Sequence, residues 1–224
     1  MIRPFRIAAA IVLCAALSVS GAPTGAVRRA STEKKLVALT FDDGPHPTET
    51  AKIVELLEKY GAKATFFVVG ENAENYPDAL KMVAAGGHEI GNHTFSHRNL
   101  GRASEKDVRV EIARAEDAIL SVSGARPTLF RPPEGAVSKG VVAAARNMGY
   151  DVILWSIDTR DWAHKGTAEI VENIKKNVCP GSIILFHDYI SGERHTRDVL
   201  GVILPYLSSL GYGFVTVSEL LGED

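Results

Sequence analysis

Leu36-Val37-Ala38-Leu39-Thr40-Phe41-Asp42-Asp43-Gly44-Pro45-His46 runs an apolar strand directly into two carboxylates and a turn. Thr48–Tyr60 follows as a helix with Ile53, Leu56, Leu57 and Tyr60 on one face, ended by Gly61, and Ala64–Val69 reads as a second strand. The same unit recurs outward to the end of the chain. Helices are predicted at Pro77–Ala85, Ser104–Val122, Ser138–Met148, Thr167–Asn177 and Thr196–Leu210. Strands are predicted at His88–Ile90, Leu129–Arg131, Val152–Trp155, Ser182–Phe186 and Gly213–Val217. In Ser104–Val122 the apolar positions Val108, Ile112, Ala115, Ile119 and Val122 are spaced by four and three, and Ser104 with Asp107 forms a capping pair. Near-continuous apolar strands alternating with helices predict a parallel sheet covered by helices. About seven such units predict a closed barrel rather than an open doubly wound sheet. The glycine-rich loop of dinucleotide-binding folds is missing after the first strand.

The 224 residues are 46% hydrophobic and 23% charged, with a formal net charge of -2. That balance predicts one globular core and excludes a disordered, collagen-like or multispan membrane chain. Without a basic excess, no nucleic-acid partner is expected. Arg3 and Arg6 precede an apolar run, Ile7–Val19, and the small residues Ser20, Gly21 and Ala22, the pattern of a secretory signal peptide. The run falls short of the roughly 18–20 residues needed to span a bilayer. Membrane anchoring is therefore expected only through an uncleaved N-terminus. The expected organisation is a signal peptide at 1–26, a linker at 27–33 and one catalytic domain at 34–222, placed outside the cytoplasm as a secreted or envelope protein. Past residue 26 only Cys179 remains, so no internal disulfide is expected in the exported chain.

Candidate chemistry gathers where strands end, the side of a βα barrel that carries active sites. Asp42 and Asp43 are either backbone-bonding turn residues or a pair kept ionised by nearby positive charge. His93-Thr94-Phe95-Ser96-His97 places two histidines four apart, which on a helix would share one face. They are either surface residues or two ligands of one cation. Thr94 stands where a zincin would carry Glu, excluding a metalloprotease of that kind. Two His and one Asp suit a three-ligand catalytic metal site. Asp43 would complete it, leaving Asp42 free as a base; non-haem iron would accept the same set. Arg131-Pro132-Pro133-Glu134-Gly135 is a rigid turn whose arginine either is solvated or fixes a carboxylate. Asp158-Thr159-Arg160-Asp161-Trp162 suits a sugar site or an ordinary loop anchored by Trp162. In Ile184-Leu185-Phe186-His187-Asp188, His187 is either structural or a general acid oriented by Asp161. Five ambiguous signals at five strand ends are jointly far less ambiguous.

In order, TFDDG (Thr40–Gly44), HTFSH (His93–His97), RPPEG (Arg131–Gly135), DTRDW (Asp158–Trp162) and LFHD (Leu185–Asp188) resemble the motifs of polysaccharide deacetylases. This is the NodB-homology domain, carbohydrate esterase family 4. The resemblance covers almost all of the chain past the linker, including the closing GYGFVTVSELL. It implies an incomplete (β/α)7 barrel and hydrolysis of N-acetyl groups on a glycan, with peptidoglycan or chitin oligomers as substrates. It implies Asp42 as base; Asp43, His93 and His97 as ligands of a divalent metal, usually zinc; and His187 as acid with Asp161 behind it. Arg131 would position the catalytic carboxylate, and Trp162 and Leu185 would wall the acetyl methyl. Glu134 stands where many members carry Tyr. The family uses that residue's backbone N–H for the oxyanion, which any residue supplies; the side-chain contact to sugar is what changes. The competing expectations are an O-acetyl xylan esterase, a non-catalytic glycan-binding module on this fold, and a two-His, one-carboxylate oxygenase.

Overall fold

The computed structural model describes residues 25–163, 165–189 and 195–222. The expected signal peptide, 1–26, lies outside these residues except for Gly25 and Ala26. In chain order the elements are β1 (Leu36–Asp42), α1 (Glu49–Lys59), β2 (Ala64–Val68), α2 (Gly70–Asn75), α3 (Pro77–Ala85), β3 (Glu89–Asn92), α4 (Glu105–Ser123) and β4 (Leu129–Phe130). They continue with α5 (Lys139–Asn147), β5 (Asp151–Val152), β6 (Ile157–Asp158), α6 (Thr167–Asn177), β7 (Ile183–His187), α7 (Thr196–Ser209), β8 (Gly213–Phe214) and α8 (Val217–Leu221). Seven parallel strands run in the order β5-β4-β3-β2-β1-β7-β6, and β8 adds to the start of β1. The fold is an incomplete (β/α)7 barrel, a curled sheet open between β5 and β6.

Side-chain alternation along β1 sorts the core. Val37, Leu39 and Phe41 pack outward with Ile53 and Leu57 of α1 and Val199 and Ile203 of α7. Phe41 stacks on Phe66 at 4.8 Å and on Phe186 at 5.7 Å between ring centroids, joining the three central strands. The intervening Ala38 belongs to a separate cluster with Phe67, Leu129, Ile153 and Ile183, closed by Val217 and Leu220 of α8. Thr40 and Asp42 share the face of Ala38 by the same period of two. A carboxylate is thereby carried on the inner face of a strand whose outer face is fully apolar.

The open seam replaces the closed barrel that the number of units predicts, and Arg131 is one reason. Val152–Trp155, expected as one strand, is interrupted. The carbonyls of Ile153 and Leu154 accept from Arg131 Nε (3.3 Å) and Nη2 (3.0 Å) instead of continuing a ladder. The start of the expected linker also differs from expectation. Val27 bridges Ile153, Arg29 bridges Ser182, and Ala30 is buried with its N–H on the Gly181 carbonyl at 3.0 Å. Residues 27–30 therefore strap the seam. Gly181 permits this approach, since a Cβ there would lie 2.2 Å from the Ala30 oxygen.

Candidate active site

β1 and β7 pair in register so that Asp42 is opposite His187. β3 ends at Asn92, immediately before His93, and β4 ends immediately before Arg131. The C-terminal ends of these strands, with the turn after β6 that carries Asp161, bring Asp42, Asp43, His93, His97, Arg131, Asp161 and His187 together. All five non-glycine residues of positive φ among the described residues lie in the loops at this end: Asp43 (75°), Thr94 (70°), His97 (55°), Glu134 (57°) and Arg160 (55°). Left-handed backbone in such residues is held against local preference by its surroundings, and it concentrates at functional loops.

The two adjacent carboxylates have different partners. Asp42 Oδ1 accepts from Arg131 Nη1 at 2.6 Å, while Oδ2 stands 3.8 Å from His93 Nε2. Arg131 is fully buried, also donates from Nη1 to Thr40 Oγ1 at 2.9 Å, and lies 4.0 Å above the Phe67 ring. Burial draws its pKa below the ordinary arginine value, and the charge and hydrogen bond of Asp42 oppose that shift. Asp43 turns away at its positive φ and places Oδ1 3.3 Å from His93 Nε2 and 2.9 Å from His97 Nε2. Burial raises the Asp43 carboxyl, but the hydrogen bonds and charges of the histidines reverse this and hold it far below the usual carboxylate range. The bond to Asp43 raises the His97 imidazole against the opposing effect of burial.

These residues fit a cation by their donor chemistry. His93 Nδ1 lies 2.7 Å from the Arg131 carbonyl oxygen, which only accepts, so Nδ1 is the donor and Nε2 is the ring nitrogen turned to Asp43. The Nε2 lone pair of that ring then faces the Asp43 carboxylate, two acceptors in contact unless a proton or cation lies between them. Asp43, His93 and His97 offer ligand atoms all within 4.8 Å of one another. One carboxylate and two imidazoles, with a carbonyl fixing one ring from behind, suit zinc among several divalent metals.

The histidine motif is not helical as the spacing of four would allow. The backbone donors of 94–96 are taken by side chains instead: Thr94 N–H by Asn92 Oδ1 at 2.9 Å, and Phe95 and Ser96 N–H by Glu111 Oε2 at 3.0 and 2.9 Å. Loop geometry still converges the rings, with centroids 5.1 Å apart. Glu111 was not anticipated from sequence. Its signal was an acidic residue within the apolar stripe of α4, between Val108 and Ile112.

Opposite this group, His187 Nδ1 donates to Asp161 Oδ1 at 2.7 Å, leaving Nε2 as the other ring nitrogen. Asp161 Oδ2 accepts from His187 N–H at 2.9 Å and from Thr196 Oγ1 at 2.8 Å. Burial lowers the His187 imidazole, but the hydrogen bond and charge of Asp161 prevail and push it up to about 9. Leu185 is buried two residues before His187 on the same strand face, and Trp162, next to Asp161, is 53% exposed. Glu134 is exposed, with Oε2 2.6 Å from Asn99 Nδ2. Asp188, likewise unanticipated, is buried against Gly44, where a Cβ would meet its carboxylate at 2.2 Å; burial pushes its pKa up to about 7.

The family model for polysaccharide deacetylases matches residues 29–153. The chain belongs to the polysaccharide deacetylase family. Within the family it is 41% identical over 202 residues to a peptidoglycan-N-acetylglucosamine deacetylase of Bacillus cereus, covering 89% of this chain and 94% of that protein. It is 40% identical to the peptidoglycan-N-acetylmuramic acid deacetylase PdaC of Bacillus subtilis, covering 84% of this chain and 39% of that protein. The crystal structure of the Bc1960 peptidoglycan N-acetylglucosamine deacetylase superposes with a TM-score of 0.86 at 36% identity, covering 90% of this chain and 95% of that one. These deacetylases share the fold and differ in the sugar named for them.

Proposed function

We propose that this chain is an extracytoplasmic, metal-dependent hydrolase removing N-acetyl groups from N-acetylglucosamine-type glycans, peptidoglycan first and chitin oligomers second. The observation that carries the reading is the different partners of the adjacent carboxylates, Asp42 on Arg131 and Asp43 on His93 and His97, with His187 opposite Asp42 across a strand pair. Asp43, His93 and His97 would hold the divalent ion, zinc by the family resemblance. Bound there, the ion supplies Lewis acidity for the acetyl carbonyl and lowers the pKa of the attacking water.

Every other role belongs to the protein. Arg131 grips Asp42 by Oδ1 and leaves Oδ2 to accept the proton of the water. Attack on the acetyl carbon places negative charge on the carbonyl oxygen, to which the backbone N–H of Glu134 donates from its left-handed turn. His187, kept protonated at neutral pH by Asp161, delivers a proton from Nε2 to the amide nitrogen as the C–N bond breaks. Acetate and a free amino sugar leave. Leu185 and Trp162 wall the methyl, which excludes water from that side.

Acetate release from N-acetylglucosamine oligomers and from purified peptidoglycan, before and after chelation and zinc reloading, tests the reading. The expected result is release that chelation abolishes and zinc restores, with Asp43→Ala and His93→Ala losing bound metal and activity together. Release from acetyl xylan alone would make the protein an ester hydrolase, and no release from any of the three would leave a binding module.

A further inference from the structure

Asp161 is buried, and among the described residues its carboxylate accepts three hydrogen bonds. Two come from His187 itself: Nδ1 to Oδ1 at 2.7 Å, and the backbone N–H to Oδ2 at 2.9 Å. The third comes from Thr196, whose Oγ1 donates to Oδ2 at 2.8 Å. Thr196 is the first residue of α7 and is itself only 4% exposed, so this bond is shielded from water. Its hydroxyl has one proton and a second acceptor within reach, the His187 carbonyl at 3.2 Å. The carboxylate is nearer and charged, and takes the proton. The backbone of Asp161 is tied separately, with its N–H on Thr159 Oγ1 at 3.4 Å and the Thr159 hydroxyl on the Leu185 carbonyl at 2.7 Å. Apart from the His187 ring, Thr196 is thus the one side chain among the described residues that holds the Asp161 carboxylate.

We infer that Thr196 is the positioning residue of the proton donor. Its hydroxyl fixes the Asp161 carboxylate that aims His187, and it draws negative charge off that carboxylate, so the imidazolium gives its proton up more readily. This rests on the reading of His187 as the general acid. A carboxylate behind an imidazole has two opposed effects. Its charge keeps the ring protonated, and the same charge holds the proton back at the moment of transfer. A further donor moderates the second effect, because charge shared with the Thr196 hydroxyl is no longer directed at His187. Burial lowers the His187 imidazole, while Asp161, Asp42 and Asp43 raise it. Asp42 is in turn bound by Arg131, and Asp188 is the neighbour of His187 in the chain. Of these charged groups Thr196 bonds only Asp161, so a change at Thr196 acts on the acid through that carboxylate.

The test compares zinc-loaded wild type, Thr196→Val and Thr196→Ser in acetate release from N-acetylglucosamine oligomers across pH. The titration of His187 is followed in the same proteins by NMR of labelled histidine, assigned through His187→Gln. Valine keeps the branching of threonine and lacks its hydroxyl. Thr196→Val is expected to lower kcat at pH 7 by about tenfold, with KM unchanged because Thr196 touches no substrate. It is also expected to move the alkaline limb of kcat and the His187 titration up by about half a unit. Removing the Asp161 charge itself would move both down, and a loss of packing alone would move neither. Thr196→Ser, which restores the hydroxyl, is expected to recover most of the rate and of the shift. A limb and a titration that stay in place in the Val variant, or move down, overturn the inference, as does a Ser variant no better than Val. An upward titration in the Val variant, with no acetate from the wild type, supports the hold of Thr196 on the pair and overturns the deacetylase reading alone.

Discussion

Between Asp42 and Asp43 the backbone leaves the strand for a φ of 75°, and the two carboxylates part. One stays on the inner strand face under Arg131 and the other swings to the histidines. At this scale the sharpest consequence concerns His187, which can give a proton only while it holds one. Activity should therefore decline as pH rises through the pKa of His187, about 9 before any added cation lowers it. Asp161→Asn removes the partner that raises that pKa. The alkaline limb of the kcat profile should move down by one unit or more, with kcat reduced at neutral pH. A limb in the same place would remove Asp161 from its role. The pair also couples to stability: its folded pKa lies above the unfolded value, so its contribution is complete below about pH 6.5 and disappears as pH rises through about 9.

Among the elements, α4 does more than cover the sheet. Glu111 takes two backbone N–H groups and the Ser96 hydroxyl (3.0 Å) from the histidine loop, and Arg114, one turn on, lies 3.6 Å above the Phe95 ring. Removing the acceptor leaves buried donors unpaired, at a cost of about 1–3 kcal/mol. Glu111→Ala should keep the circular dichroism of the native fold while zinc affinity, read by competition with a chromogenic chelator, falls at least tenfold. Unchanged affinity would mean that the loop holds its shape unaided. This clasp illustrates what the sequence concealed. The helices, long and periodic, were legible to within a residue or two, and so were all five motifs. α2 and α8, six and five residues long, were not, because so short a run has no readable period. Gly213–Val217 was expected as one strand but stops at Phe214, and a capping box between Thr216 and Glu219 starts α8.

For the molecule as a whole, the motifs implied the incomplete barrel that the structure has, whereas the count of units pointed to a closed one; the open seam lies between β5 and β6. Counting units cannot reveal that a buried arginine takes up the carbonyls of Ile153 and Leu154. Nor does a polar, aperiodic stretch announce that Val27 and Ala30 will strap the gap. A chain starting at Ser31 loses the hydrogen bond from Val27 N–H to the Val152 carbonyl (2.8 Å) and that from Leu154 N–H to the Val27 carbonyl (2.7 Å), together with the Ala30 contact. The seam that this strap crosses also supplies two acceptors for Arg131. Such a truncation should lower Tm by several degrees relative to a chain starting at Gly25, in line with a loss of about 1–2 kcal/mol. It should lower kcat as well, because Arg131 holds Asp42, the proposed base. Equal Tm values would make 27–30 the linker that the sequence suggests.

The central claim is that two neighbouring aspartates divide metal binding from proton transfer. Acetate release by zinc-loaded Asp42→Asn, measured beside the wild type on N-acetylglucosamine oligomers with bound zinc quantified in the same samples, tests it most directly. The account predicts full zinc occupancy with a rate at least 100-fold lower, the usual scale of a lost general base. A rate like that of the wild type at full occupancy would contradict it.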